Sequence, residues 1–392
     1  MIRLKVTNPN DVKRIKSLLE ENQWFNKSLK IEKSDGVFYI YTTLETVPPE
    51  LSDLQWDQYE YEEPSHTIDA IRDKYCRQHN VPHFEVPKRW TVYPPMLLFS
   101  GNTNDTLPKD FCQYLLQHHQ SMFGNKSLTH VALNRPIIES DILRRPSSLV
   151  PLFGNFGPDW VDEPTEGDFN DAFWCSVVQN GIYQTWAPRY TMFSRGNIKE
   201  KKRILDNFKN LKGSLVFDFY CGIGYFSLSY LRNGAKLLCW ELNPWSIEGF
   251  RRSLEHAGYK YKIYNTGDNF SIDDISKYDA CLFLESNEAI PSRLDSVHAN
   301  SLNISHVNLG LLPTSKPSWS IASNLVAETS LTPCLVHVHE NVHVDEFNKM
   351  KDEIEASYPN GTVKHIEKVK TFAPDVWHAV FDVVINKTKG VV

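Results

Sequence analysis

From residue 197 onward the chain alternates apolar runs with helical stretches, and no other feature limits its fold so tightly. The runs are LVFDFY (215–220), KLLCWEL (236–242), KYKIYNTGD (260–268), DACLFLES (279–286), ISHVNLGLL (304–312), CLVHVHENV (334–342) and HAVFDVVI (378–385). Helical patterns fall between them, at 224–234, 245–259, 318–328 and 344–357. The stretch begins with Asn197 and Glu200 at capping-box spacing, a helix start. Strands alternating with helices imply a parallel sheet wound on both faces, an α/β domain of Rossmann type.

The preceding 196 residues are less regular. MIRLKVTNPNDVKRIKSLLE reads as a short strand, a turn at Asn8–Pro9 and an amphipathic helix, without the apolar core of a signal peptide. GVFYIYTTL (36–44) is a second strand, and an acidic loop follows at 57–66. Proline-containing segments at 85–110 mark a boundary, then come a helix (109–123) and an alternating strand (128–137). Residues 147–190, rich in Gly, Pro and Trp, suit a structured segment with few regular elements. The expected division is a small α+β domain at 1–105, a middle domain and connector at 106–196, the α/β domain at 197–386, and a flexible tail at 387–392.

Composition narrows the class. At 41% hydrophobic and 23% charged the chain is ordinary for a globular protein, and no apolar window is long enough to span a membrane. Seven cysteines scattered without a CxxC pair point to reduced thiols and a cytosolic, cytoplasmic setting. A net charge of −6 argues against a generic nucleic-acid coat. Charge is uneven, however: residues 189–212 hold eight Lys/Arg against Glu200 and Asp206. On charge alone this is a solvated helix face, of interest only beside a catalytic pocket.

In a doubly wound sheet the ligand lies across the C-terminal ends of the first strands. The first ends at Asp218, followed by the tight turn Cys221–Gly222–Ile223–Gly224, whose glycines let backbone N–H groups approach a ligand. The second ends at Glu241, where an acid can accept both ribose hydroxyls. The third ends at Gly267–Asp268–Asn269, a carboxylate and an amide suited to an adenine amino group. NAD normally requires a third glycine, and Ser227 stands in its place. S-adenosylmethionine carries no phosphate and has a cationic sulfonium end that an acid at 218 would favour. Three acids at successive strand ends fit that cofactor better.

The residues then resemble a family. DFYCGIGYFSL, WELNPWSIEGFRRSLEHAG and GDN look like the class I methyltransferase domain shared by two groups of enzymes that modify the guanosine-derived base 3′ of the anticodon. One group methylates guanosine at N1. The other, the tRNA wybutosine-synthesizing protein 2 family, transfers the 3-amino-3-carboxypropyl group of S-adenosylmethionine to carbon 7 of 4-demethylwyosine in phenylalanine tRNA. The methyltransferases carry a pattern like F-S-P-R-L-x-x-E-R, whose arginine is associated with methyl transfer. Here Phe193–Ser194–Arg195–Gly196–Asn197–Ile198–Lys199–Glu200–Lys201 puts Gly196 in the arginine's place. Their N-L-P motif is replaced by Asn308–Leu309–Gly310–Leu311–Leu312–Pro313. With HVHENV, these stretches are similar to the wybutosine group.

The resemblance implies cofactor contacts at Ser194 and Lys201 beside Asp218, Gly222, Gly224, Glu241, Asp268 and Asn269. Arg144, Arg145, Arg195 and Asn308 are candidates for tRNA contact, and a monomer working on phenylalanine tRNA is expected, with neither metal nor membrane. Gly196 and Gly310 would open room for the methionine chain to turn toward the base. Lys370, in VKTFAPDVWH, matches a late motif of the family without an assigned role. His337 and His339 alternate along one strand face, a pattern more typical of sheet residues than of metal ligands. The aromatic segment 153–186 reads as a core between regions rather than a base-stacking surface. The alternatives are an N1-guanosine methyltransferase and a non-catalytic RNA-binding adaptor that keeps a cofactor pocket.

Overall fold

The alternating run at the start of the chain becomes strand β1 (Ile2–Val6), with Ile2, Leu4 and Val6 buried. Asn8 caps the helix Pro9–Glu21, its side-chain oxygen accepting from Asn10 N at 3.1 Å. Pro9 sits in the first turn, where no N–H is needed. With β2 (Glu32–Ser34), β3 (Val37–Tyr41) and β4 (Gln55–Gln58), β1 forms an antiparallel sheet of order β2-β3-β1-β4. Ile15 and Leu19 of the helix pack on Leu4, Ile40 and Leu51. These elements belong to the first of two units, residues 1–83 with 118–124; the second comprises 84–117 with 125–392. The structure is a computed structural model describing the whole chain except residues 28, 61–66, 102–105, 135–140, 144, 147–148, 299–300, 332 and 387–392. The expected tail at 387–392 and Arg144 therefore lie outside the described residues.

The second unit opens with a four-stranded mixed sheet, β5 (Arg89–Tyr93), β6 (Met96–Ser100), β7 (His130–Asn134) and β8 (Val150–Phe153), paired in that order. The segment read as nearly irregular contains a hairpin, β9 (Cys175–Gln179) and β10 (Ile182–Trp186). Its two-residue loop is Asn180–Gly181, both at positive φ (52° and 73°), the backbone that matches strand twist in a tight hairpin. The aromatics of this segment form core. Tyr190 stacks on Trp245 at 3.6 Å, and Trp186 stacks on Phe193 at 4.3 Å.

The main sheet has eight strands: β11 (Leu215–Asp218), β12 (Lys236–Glu241), β13 (Tyr261–Asn265), β14 (Ala280–Leu284), β15 (Ile304–Leu309), β16 (Cys334–His343), β17 (Gly361–Ala373) and β18 (Val376–Ile385). Their spatial order is β13-β14-β12-β11-β15-β16-β18-β17, parallel through β16 and antiparallel beyond. Side-chain alternation feeds two apolar layers. Val216, Leu237, Cys239 and Leu282 face Ile247, Phe250 and Leu254 of the helix Pro244–Ala257. Phe217, Trp240, Phe283 and Val336 face the side of Trp319, Val326 and Ile354. Each expected strand is present, and β17 is an addition. Among the described residues no helix is long and apolar enough to cross a membrane, and all seven cysteines are free thiols.

One finding changes the expected layout. The strand beside β12 is β14, and β13 pairs only with β14, at the sheet edge. Sequence order is not spatial order here. A crossover through the short helix Asp274–Lys277 leads from the outer strand to the inner one.

Aromatic rings register this order: Trp240 stacks on Phe283 at 4.5 Å, and Phe283 on Tyr264 at 5.0 Å. Phe283 is fully buried, so Phe283→Ala is expected to lower stability by about 3–5 kcal/mol through lost transfer energy and a residual cavity. Chemical unfolding measures it. A loss under about 1 kcal/mol would mean that the ring stack does not bind β12, β14 and β13 together.

Candidate cofactor site

The first strand of the sheet ends in an acid that the fold encloses. Asp218 is fully buried; its Oδ2 accepts from Ser227 Oγ at 2.6 Å and its Oδ1 from Asn308 Nδ2 at 3.0 Å. Burial pushes this carboxyl up from the usual carboxylate range, against those hydrogen bonds. The residue expected near a ligand's cationic end instead acts from behind the loop, joining β11, β15 and the helix Ser227–Arg232. Asn308, a candidate tRNA contact, is likewise buried, and its Oδ1 has no partner among the described residues.

The turn in front of Asp218 is built as the glycine spacing predicts. Gly224 has φ +80°, and a Cβ there would lie 2.6 Å from the Phe250 ring, so the loop packs against the helix Pro244–Ala257. Gly222 N–H donates to Glu241 Oε2 at 3.0 Å, and Asn243 N–H to Glu241 Oε1 at 2.8 Å. Glu241 is therefore fixed between the glycine turn and the start of the next helix, half-buried, at the sheet's C-terminal edge. Burial raises its carboxyl to about 7, with the backbone donors opposing.

Across the turn stands a cation. Lys201 is 3% exposed; its Nζ donates to Gln184 Oε1 at 2.6 Å and Gln179 Oε1 at 3.0 Å. It lies 4.8 Å from the centroid of Phe193 and 5.3 Å from that of Tyr225. Burial pulls it down to about 7. Gln184 Nε2 in turn donates to Gly224 O at 3.2 Å, which links Lys201 to the glycine loop. Ser194, half-buried, donates its N–H to Tyr225 Oη at 3.4 Å, and Tyr225 donates to Met192 O. Thus Ser194, Lys201, Gly222, Gly224 and Glu241 are brought together, over Asp218 and Asn308.

The basic stretch 189–212 is accordingly not a uniformly solvated face. Lys201 and Arg203 point inward; Lys199 pairs with Glu367 at 2.5 Å and Lys202 with Asp206 at 2.8 Å. Arg195 is exposed. Arg145 pairs with Asp141 at 2.8 Å and covers the Trp160 ring at 5.0 Å.

Asp268 and Asn269 follow the edge strand β13 and are exposed, and Asp268 Oδ2 closes its own loop by accepting from Asn265 N at 2.7 Å. The strand end next to Glu241 is that of β14, where Glu285, Ser286 and Asn287 stand. Asn287 is buried, and its Nδ2 donates to Phe219 O at 3.1 Å, beside the end of β11. Glu285 is held by Arg293 at 2.7 Å, and the same guanidinium donates to Asp268 O and Asn265 O, tying the two loops. The sequence signal for these residues is the run DACLFLESN itself, a strand ending in an acid and an amide.

The glycines expected to open space do not leave it empty. A Cβ at Gly310 would lie 3.0 Å from Asn308 Nδ2 and 3.1 Å from the Phe226 ring. A Cβ at Gly196 would lie 2.5 Å from Lys370 Cδ. His337 and His339 are fully buried sheet residues: His337 meets Asp382 at 2.7 Å and His339 meets His378 at 3.0 Å.

The donor set suits S-adenosylmethionine. A half-buried carboxylate with no cationic partner among the described residues faces ribose hydroxyls well, and a buried ammonium held by amide oxygens and ring faces, without a carboxylate partner among the described residues, suits a carboxylate.

Comparison with known proteins agrees. The chain is 38% identical over 314 residues to tRNA wybutosine-synthesizing protein 2 of Schizosaccharomyces pombe, covering 76% of this chain and 73% of that one. It is 35% identical over 370 residues to tRNA wybutosine-synthesizing protein 2 of Saccharomyces cerevisiae, covering 79% and 76%. Among solved structures, the complex of aTrm5 and tRNALeu superposes with a TM-score of 0.62 at 14% identity, over 98% of this chain and 100% of that one. Pyrococcus horikoshii TYW2 in complex with MeSAdo gives 0.54 at 17% identity, over 82% and 100%. At such identities the structures share the fold. No protein-family model matches.

The two shifted groups predict a pH profile. A ribose diol donates to Glu241 only when that carboxyl is ionised, so affinity falls as pH drops through about 7. Lys201 holds an anion only when protonated, so affinity falls as pH rises through about 7. Calorimetric titration with S-adenosylhomocysteine from about pH 5.5 to 8.5 should give a bell, and Glu241→Gln should remove its acid limb. A monotonic profile in the unaltered protein contradicts the assignment.

Proposed function

The chain belongs to the tRNA wybutosine-synthesizing protein 2 family, and from that premise we propose that it is an S-adenosylmethionine-dependent aminocarboxypropyltransferase acting on tRNA. The acceptor is carbon 7 of 4-demethylwyosine, beside the anticodon of phenylalanine tRNA, and the protein works as a cytosolic monomer. The observation that carries this over methyl transfer is the turn 194–196: glycine stands where the methyltransferases place an arginine, and Lys370 lies across it.

When bound, S-adenosylmethionine supplies a sulfonium-activated γ carbon: that carbon bonds to C7, the carbon–sulfur bond breaks, 5′-methylthioadenosine leaves and C7 gives up its proton. The residues of the chain select which activated carbon is presented, since the one at near-attack distance reacts. Glu241, fixed by Gly222 and Asn243 N–H groups, holds the ribose. Asn287, beside the end of β11, holds the adenine side. Asp268 and Asn269 remain on the outer loop that Arg293 ties to Glu285. Lys201 and Ser194 face the methionine arm. Asp218, Ser227 and Asn308 keep the glycine turn rigid from behind. Residues 1–105, Arg145 and Arg195 serve tRNA recognition, with Arg144 a further candidate.

Two experiments test this reading. Hypomodified phenylalanine tRNA is incubated with protein and S-adenosylmethionine labelled on the methyl or on the carboxyl carbon. Carboxyl label in the tRNA is expected; methyl label alone would assign the chain to the methyltransferases, and neither label would leave the adaptor. For the pocket, Asn287→Ala should weaken 5′-methylthioadenosine binding about tenfold, the order of one lost hydrogen bond, while Asp268→Ala and Asn269→Ala change it less than about twofold. The opposite ranking would return the adenine contact to β13.

A further inference from the structure

We propose that Lys370, together with Ser194, shares with Lys201 the carboxylate of the cofactor's methionine arm and so fixes which carbon is transferred. This rests on the function proposed above.

Gly196 carries no positive φ, so its backbone does not require glycine; the requirement is space. A Cβ at 196 would lie 2.5 Å from Lys370 Cδ, 2.9 Å from Nζ and 3.2 Å from Cε. The lysine therefore passes directly over the turn, and its Nζ donates to Ser194 Oγ at 3.3 Å. The positive group that covers the turn comes from a strand 176 residues downstream of Ser194, whereas Arg195, in the turn itself, is exposed.

The strand is shaped to deliver it. The β17–β18 ladder shifts at three points, between Val363 and His365, Lys368 and Lys370, and Thr371 and Ala373; after the second, Lys370 stands opposite His378. Irregularities of this kind re-aim side chains next to functional sites.

Two nearby cations are neutralised, Arg195 is exposed, and Lys370, like Lys201, is not neutralised by a carboxylate among the described residues. Lys199 pairs with Glu367 at 2.5 Å, and Arg203 is shared by Glu200 and Asp382. Lys370 has no carboxylate partner among the described residues, although it is partly buried and burial lowers it from its ordinary value. An ammonium offers three donors, and one goes to Ser194. Lys201 already gives two donors to glutamine oxygens. Lys370 thus keeps two donors unused and Lys201 one, and an anion arriving there recovers the cost of desolvating both. The arm carries one anionic group, its carboxylate. Gripping it at Lys370 places the arm across the turn 194–196 and away from the enclosed side of the glycine loop.

The test titrates the full-length protein and Lys370→Met with two probes: S-adenosylhomocysteine, which has the arm, and 5′-methylthioadenosine, which lacks it. The expected result is a loss of about tenfold or more for S-adenosylhomocysteine, the size of a charge-assisted hydrogen bond, with 5′-methylthioadenosine within about twofold. Gly196→Ala, which pushes the lysine aside without removing it, should reproduce the same selective loss, and Lys370→Arg should recover most of it. Equal changes for both probes, or no change for either, overturn the proposal. So does weakened binding of an unmodified tRNA transcript with S-adenosylhomocysteine affinity intact, which would make Lys370 a phosphate contact. Failure of 5′-methylthioadenosine to bind the unaltered protein would instead overturn the pocket on which the proposal rests.

Discussion

A single buried carboxylate organises the cofactor end of the sheet. Asp218 takes a hydrogen bond from Ser227, which begins the helix behind the glycine turn, and another from Asn308, at the end of the neighbouring strand. A carboxylate without exposure is costly unless its lone pairs are used, so the three residues form one unit. The missing third glycine of the dinucleotide pattern is explained by the same contact. Position 227 needs a hydroxyl to hold Asp218, and a glycine could not supply it. Gly310 follows from it too, because a side chain there would crowd Asn308 and Phe226.

Local features were legible from residues alone, and long-range ones were not. The capped helix after Asn8, the turn of Gly222 and Gly224, and the acid at Glu241 each depend on a few adjacent positions. Strand alternation likewise exposed the seven strands expected from 215 onward. The place of β14 between β12 and β13 depends on which crossover the chain takes, and hydrophobic runs carry no record of that. Asp268 and Asn269 follow the third run in sequence, whereas Glu285 to Asn287 follow the third strand in space. The β9–β10 hairpin was readable, since Asn180–Gly181 between β-prone residues is a strong turn signal, but the density of Trp, Gly and Pro around it concealed the pattern.

Opposite charges in the site are kept apart rather than paired. Glu241 is fastened by backbone N–H groups, and Lys201 by amide oxygens; neither meets a counter-ion among the described residues. Were they paired, each would be satisfied and a zwitterionic ligand would have to break the pair. Held separately, they present fixed polarity to a ligand that has its own charges at one end and a neutral nucleoside at the other. Burial moves both groups toward neutrality, so pH governs how much of that polarity exists before binding.

The separation depends on the helix Ile198–Asn207 staying in register with the distant strands. Arg203 donates to Glu200 at 2.7 Å and to Asp382 of β18, and Asp382 also meets His337 of β16 at 2.7 Å, which meets His306 of β15 at 2.9 Å. Such a buried network adds little net stability against an apolar core, but a shift of one helical turn would leave several charges unpaired. The helix therefore has one allowed position on the sheet. Lys201 rides on it and Ser194 and Gly196 precede it, whereas Lys370 comes from β17, fixed in turn by β18. The contact of Lys370 with Ser194 is thus set by the Arg203 network rather than by the turn. A change confined to 193–201 would therefore leave Lys370 in place, because the register of its strand is held by β18 and not by the turn.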